Sequence, residues 1–223
     1  MPVDQDRYRS LIARAAFNAE FFRGTISDLS SAQRAMTFVG SPTWGRLNGF
    51  PILKKNAAAD GTTSAAVAPV LDVTGSITFE GLFVADDVFM PVMFRQVGGT
   101  GGVSFGNLSG VNRGEVYLLD AAGAGARFVM TAIGALPAHR PRHLIISSID
   151  GGTSGLVWIN GVPSTCTLAL AGVAASPPVS VVTTLGAVSA AGQAMISRCW
   201  PFLFTNEDAV CIAEQAKLLV GGW

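Results

Sequence analysis

Residues 140–163 read RPRHLIISSIDGGTSGLVWINGVP, and their punctuation decides the fold. The run His143-Leu144-Ile145-Ile146-Ser147-Ser148-Ile149 stops at Asp150-Gly151-Gly152. Leu156-Val157-Trp158-Ile159 follows, and Asn160-Gly161 turns the chain into a further run over Ser164–Leu170. Asp-Gly and Asn-Gly supply the positive φ angles that tight hairpins need. Three short β-prone runs joined by two such turns are an antiparallel meander.

Working outward, Ser76–Val84 alternates, with Ile77, Phe79 and Phe83 pointing one way and Ser76, Thr78 and Glu80 the other. Further strands are expected over Met36–Val39, Val92–Gln96, Val103–Phe105, Glu115–Leu119 and Arg127–Ile133, with a last long one over Ala194–Phe204. The first of these ends at Gly40-Ser41-Pro42. Residues 54–66 read as loop, being small and polar. A helix starts near Thr205, where Thr205 and Asp208 have capping-box spacing and Val210, Ile212, Ala213 and Ala216 supply a buried face. A second helix runs from Asp4, its N-cap, to about Ala19, with Tyr8, Leu11, Ile12, Ala15 and Ala19 on one stripe. It either packs on its own domain or serves as an arm for a neighbouring subunit. A dozen or more strands without βαβ alternation imply an all-β protein: an antiparallel two-sheet sandwich with short N- and C-terminal helices. Residues 1–16 form the helix arm and 17–223 one sandwich domain.

The chain has 223 residues, of which 13% are charged, against about 25% in ordinary soluble proteins. Fifteen basic and fifteen acidic residues cancel, which argues against a nucleic-acid surface or a polybasic membrane contact. So sparse a charge on so large a surface points to burial against copies or partners. Residues 151–197 carry no charge, yet Asn160-Gly161, Pro163 and Pro177-Pro178 interrupt them, so they read as strands rather than a membrane span. Cys166, Cys199 and Cys211 are too few and too scattered for a disulfide framework or a metal site, and read as ordinary thiols in a reducing compartment. The N-terminus lacks the layout of a signal peptide.

Four stretches carry a family resemblance. ISDLSSAQRAMTFVGSPTW (26–44) resembles an opening Asp-x-Ser loop, strand and Gly-x-Pro-Thr-Trp turn. PVLDVTGSITFEGLFVADD (69–87) is similar to the strand pair that follows it, and residues 140–163 to a His-led strand, Gly-rich hairpin and Asn-Gly turn. TLGAVSAAGQAMISRCWPFLFTNEDAVCIAEQA (184–216) resembles the closing strand and helix. Together they resemble the concanavalin A-like lectin/laminin-G-like jelly roll, of the kind found in tailed-bacteriophage virion proteins. The resemblance implies fold; lectins, glycosidases and structural modules share it.

The glycosidases of that family carry acid-x-acid-x-x-acid on one strand, so that alternate carboxylates face one cleft. Here Asp4-Gln5-Asp6 lies at a helix start, and Glu80, Glu115 and Asp120 are isolated. Gly102-Val103-Ser104-Phe105-Gly106 matches a nucleophile elbow, with Asp120 and His139 or His143 following, but a turn-rich stretch stands where the elbow needs a helix. His139 and His143 have the spacing of two metal ligands on a helix that Pro141 forbids; a strand-end His143 satisfied by backbone is expected. Gly98–Gly102 lacks the Lys of a phosphate loop. The resemblance implies calcium on rim loops, for which Asp28, Asp86, Asp87 and Asp150 are the carboxylates in loops. A glycan would need an exposed aromatic platform. Trp158 reads equally as core, Trp44 as the family's packed turn residue, and Trp223 as terminal and exposed.

No catalytic, cofactor or metal residue is assigned, and the chain reads as a non-enzyme. The leading expectation is a virion structural protein of a tailed phage, assembled in the host cytoplasm as a capsid decoration or fibre component. Its partners would be copies of itself and other virion proteins, with no nucleic acid and no membrane insertion. The alternative is a carbohydrate-binding module that attaches to a host glycan; a glycoside hydrolase ranks below both.

Overall fold

The computed structural model describes residues 4–56, 60–64, 76–85, 89–96, 102–107, 114–119, 125–131, 135–136, 139–149, 154–168, 181–185 and 192–222. Helix α1 (Gln5–Ala13) leads into β1 (Phe17–Glu20) and a single 3-10 turn over Phe21–Arg23. Then come β2 (Met36–Val39), β3 (Thr43–Leu47), β4 (Phe50–Lys55), β5 (Gly61–Ser64), β6 (Ile77–Ala85), β7 (Phe89–Gln96) and β8 (Gly102–Asn107). The rest are β9 (Gly114–Leu119), β10 (Gly125–Thr131), β11 (Arg142–Ile149), β12 (Ser154–Ile159), β13 (Val162–Ser164), β14 (Cys166–Leu168), β15 (Val181–Leu185), β16 (Gly192–Trp200) and α2 (Asn206–Val220).

These strands form two antiparallel sheets. One runs β13-β12-β11-β6-β16-β4-β3, with β1 also paired to β16; the other runs β14-β10-β9-β8-β7-β15-β5-β2. The protein is thus the all-β two-sheet sandwich its turns imply. The alternation of β6 is real, but neither of its faces is wet. Ile77, Phe79 and Phe83 face the second sheet, while Thr78, Glu80 and Leu82 lie under the helices, and all six are buried. The sheets meet closely: a β-carbon on Gly114 of β9 would come within 2.7 Å of Leu144 Cδ2 on β11.

Both helices cover the outer face of the first sheet. Leu11 and Ala15 join Ile145, Trp158, Trp200, Phe204, Ala209 and Ile212 in one core. Ala216, Leu219 and Val220 of α2 close a second over Ile52, Leu82 and Ile196. The capping box is present: Thr205 Oγ1 accepts from the Asp208 backbone, and an Asp208 carboxylate oxygen accepts from the Thr205 backbone. Asn160 and Gly161 take φ of 54° and 78°, as an Asn-Gly hairpin requires.

Four local expectations need correction. The first helix ends at Ala13, and Phe17–Glu20 is a strand rather than its continuation. The edge of β16 from Ile196 to Cys199 takes those residues into its ladder, and tertiary pairing outweighs helical period there. Residues 54–66 are not all loop. Lys54 and Lys55 finish β4, and Gly61–Ser64 forms β5 between β2 and β15. The run expected over Ser164–Leu170 is divided: β13 pairs with β12 in the first sheet and β14 with β10 in the second. The last strand ends at Trp200, four residues early, because Pro201 has no N–H to donate. Helix α1 packs on its own domain: Trp200 Nε1 donates to Leu11 O at 2.8 Å, and Arg7 Nε to Asp208 Oδ1 at 2.8 Å.

Candidate functional site

The register sets Trp158, Ile145, Glu80, Arg198 and Asn18 in one row across β12, β11, β6, β16 and β1, on the face that the helices cover. Arg198 is the centre of a charge cluster in that row. Its Nη1 donates to Glu80 Oε2 at 3.0 Å, its Nη2 to Glu20 Oε1 at 2.7 Å, and its Nε to Asn18 Oδ1 at 2.8 Å. Tyr8 Oη from α1 accepts from Nη2 at 3.3 Å, and Arg23 adds a second cation to Glu20. Glu80 Oε1 accepts from His143 Nε2 at 2.9 Å. Glu80 is therefore not isolated, and the His143 ring is held by a carboxylate rather than by backbone. An ionised carboxylate only accepts, so Nε2 of His143 is the donor.

Two carboxylates from distant strands thus come together, which is the raw material of a glycosidase. Their chemistry is the wrong kind. Burial would raise the Glu80 carboxyl, but Arg198 and His143 outweigh it and hold it below the usual range. Glu20 is likewise lowered, with Arg198 and Arg23 overcoming burial. Both are ionised, hydrogen-bonded and closed to solvent. A general acid needs a raised pKa and access to a leaving group. This pair is an electrostatic clamp.

The other sequence candidates scatter. Ser104 sits mid-strand in β8, paired with Met93 and Tyr117, where no strand-to-helix elbow exists. His139 is an exposed turn residue at φ 60°, whereas His143 is buried on a strand rather than a helix. Glu115 lies in β9 opposite Gly106 and Met130. The Asp28 carboxylate accepts from the backbone N–H groups of Asn18 and Ser30 and from Arg34 Nη1, so the chain itself occupies its lone pairs. Asp86, Asp87, Asp120, Asp150, Gly98–Gly101 and Trp223 lie outside the described residues. Among the described residues no group of three His, Cys, Asp or Glu could hold a metal, and no helix is long and apolar enough to cross a membrane. Cys199 and Cys211 are buried, Cys166 is partly so, and all three are free thiols.

The exposed feature that stands out is aromatic. Strand β2 is the edge of one sheet and β3 the edge of the other, and the chain crosses between them at Gly40-Ser41-Pro42. Asp60 pins this crossover: its carboxylate accepts from Ser41 N at 2.8 Å and Asn56 N at 3.0 Å. Phe38 and Trp44, one on each side, meet edge to face with centroids 6.4 Å apart. Trp44 is 39% exposed and Phe38 44%, so Trp44 is not the packed turn residue expected of it. The register explains why. Trp44 ends the inward-facing row Phe83–Ala194–Leu53–Trp44, and among the described residues no strand pairs beyond β3 to cover it.

Beside Trp44 lies a shallow depression of about 320 Å³ lined by Gly24, Trp44, Gly45, Arg46 and Pro51. Arg46 Nη1 donates to Gly49 O at 2.8 Å, bracing the β3–β4 turn, where Asn48 and Gly49 take φ of 48° and 84°. The end of α2 backs this turn, since a β-carbon on Gly221 would lie 3.2 Å from Asn48 Nδ2. The signal for this hairpin is in the sequence: Asn48-Gly49 divides TWGRL from FPILKK, as Asn160-Gly161 divides the strands of the meander.

The fold is a two-sheet β-sandwich, and solved structures of binding domains share that fold. The chain is similar to the botulinum neurotoxin serotype D binding domain, with a TM-score of 0.67 and 8% identity over 92% of this chain and 53% of that one. It is similar to the serotype G binding domain, with a TM-score of 0.65 and 9% identity over 91% of this chain and 51% of that one. It is also similar to a serotype D ligand binding domain in complex with N-acetylneuraminic acid, at 0.66 and 8% over 94% and 52%. The chain spans about half the length of these structures, and the likeness establishes fold. No protein-family model matches the sequence. No curated protein matches it either.

Proposed function

We propose that this chain is a non-catalytic recognition module that holds a carbohydrate against Phe38 and Trp44 at the open edge of the sandwich. The observation that carries this is the exposure of two touching aromatic rings where the two sheets meet. Exposed apolar surface rimmed by polar groups marks an interaction site. A partly exposed aromatic ring held in place by its neighbours is a rigid platform for the C–H face of a sugar. Solved binding domains of the same fold, one holding N-acetylneuraminic acid, support recognition over catalysis. The ion-paired state of Glu20 and Glu80 supports it too.

A panel of immobilised glycans tests the reading. At least one class should bind saturably, and Trp44→Ala should weaken that binding at least tenfold while far-UV circular dichroism is unchanged. Silence across the panel, or equal binding by the variant, overturns it.

A second reading, assembly with copies or in a phage virion, is favoured by the opposite margin of the first sheet. There Leu156 and Val162 are exposed on β12 and the edge strand β13. Light scattering over a hundredfold dilution addresses it: a persistent oligomer supports assembly, and a monomer throughout removes self-association.

A further inference from the structure

The aromatic edge has a sign. Between Asp28 and Asp60 the chain carries Arg34, Arg46, Lys54 and Lys55 and not one Asp or Glu, in a protein whose charges balance over its whole length at fifteen of each. Arg34 is spent on Asp28 at 2.6 Å, and Lys55 is buried in the field of Asp60. Arg46 is exposed; it bonds the carbonyl of Gly49, and among the described residues no carboxylate pairs with it. Lys54 lies along the other face of the same strand: a β-carbon on Gly45 would come 2.3 Å from Lys54 Cε, so the missing side chain at 45 is what lets the Lys54 stem cross there. A cation therefore lies on each face of β3 next to Trp44, Arg46 from β3 itself and Lys54 reaching across from β4.

Resting on the recognition reading above, we infer that the ligand is an acidic saccharide, stacked on Trp44 with its carboxylate on Arg46. Trp44 and Arg46 are two residues apart on one strand and share a face, which sets them about 7 Å apart along it. That is the reach of one pyranose ring carrying a carboxylate on its rim. A guanidinium offers two parallel N–H groups to a carboxylate, and Arg46 is already braced by Gly49 O, so little is lost in ordering it. The depression of about 320 Å³ lined by Trp44, Gly45, Arg46 and Pro51 lies beside the ring, where a sugar edge would sit. A neutral sugar would leave the guanidinium without an anion.

The test is calorimetric titration of the full chain with an oligogalacturonate and with the same oligosaccharide after its carboxyl groups are reduced to alcohols. Wild type should bind the acidic form at least tenfold more tightly, with an advantage that shrinks as salt rises. Arg46→Gln should bring the two affinities together, and Trp44→Ala should weaken both. Equal affinities in wild type, or a preference that survives Arg46→Gln, overturn the inference while Trp44-dependent binding leaves the recognition reading standing. Binding of neither probe also overturns it, and the glycan panel then judges the broader reading on its own.

Discussion

Arg198 and Trp44 lie on opposite faces of one sheet, and each sits where its residue type is out of place. Arg198 is a cation under two helices; Trp44 is an indole at the margin of the sandwich. Around Arg198 the chain has gathered a partner for every nitrogen of the guanidinium, from α1, β1 and β6. Around Trp44 it has supplied a ring contact with Phe38 and, among the described residues, left the residue 39% exposed. The difference separates two reasons for breaking the rule of apolar inside and polar outside. A misplaced group with all its partners at home serves the fold. A misplaced group left exposed is what the proposed recognition site rests on.

That comparison breaks most sharply at Arg198. Arg198→Met would leave Glu20 and Glu80 buried without their shared cation, and should cost about 3–5 kcal/mol, read as a fall in urea midpoint. A loss under about 1 kcal/mol would mean that the cluster is incidental to stability.

Acid is the next lever. Both glutamates titrate lower in the folded chain than in the unfolded one, so as pH falls the unfolded chain takes up protons first. Their contribution is complete above about pH 4.3, the ordinary glutamate value, and drains away as pH drops through the folded-state values. Stability of the wild type should therefore fall below that pH, and Glu80→Gln, weaker at neutral pH, should show a shallower acid limb. Parallel acid limbs for the two proteins would remove Glu80 from the account.

The smallest effect belongs to the edge. Trp44→Ala, which weakens ligand binding in the reading above, should change the free energy of unfolding by about 1 kcal/mol or less, because the residue is already 39% exposed to water. A loss comparable to that of Arg198→Met would make Trp44 a core residue and erase the contrast.

The two regions were also unequally legible. Turns and alternation announce the sandwich, and the Thr205–Asp208 box announces α2, because each depends on residues near in sequence. The charge cluster depends on residues 8, 18, 20, 80, 143 and 198, which no local pattern joins. Phe17–Glu20 hides inside a helical stripe, and only the vacant edge of β16 makes it a strand and so delivers Asn18 and Glu20 to Arg198. Trp44 fails differently. Its strand could be read from the Asn48-Gly49 turn, yet its exposure follows from β3 being the last strand of its sheet, and strand order is a property of the whole chain.

The crossover at residues 40–42 gives the aromatic pair a mechanical character. Phe38 belongs to one sheet and Trp44 to the other, so prising the two layers apart at this margin pulls the rings from each other. A ligand that gripped both rings would be a latch across the seam. It would damp opening of the edge and slow amide exchange in β2 and β3, including at positions it never touches.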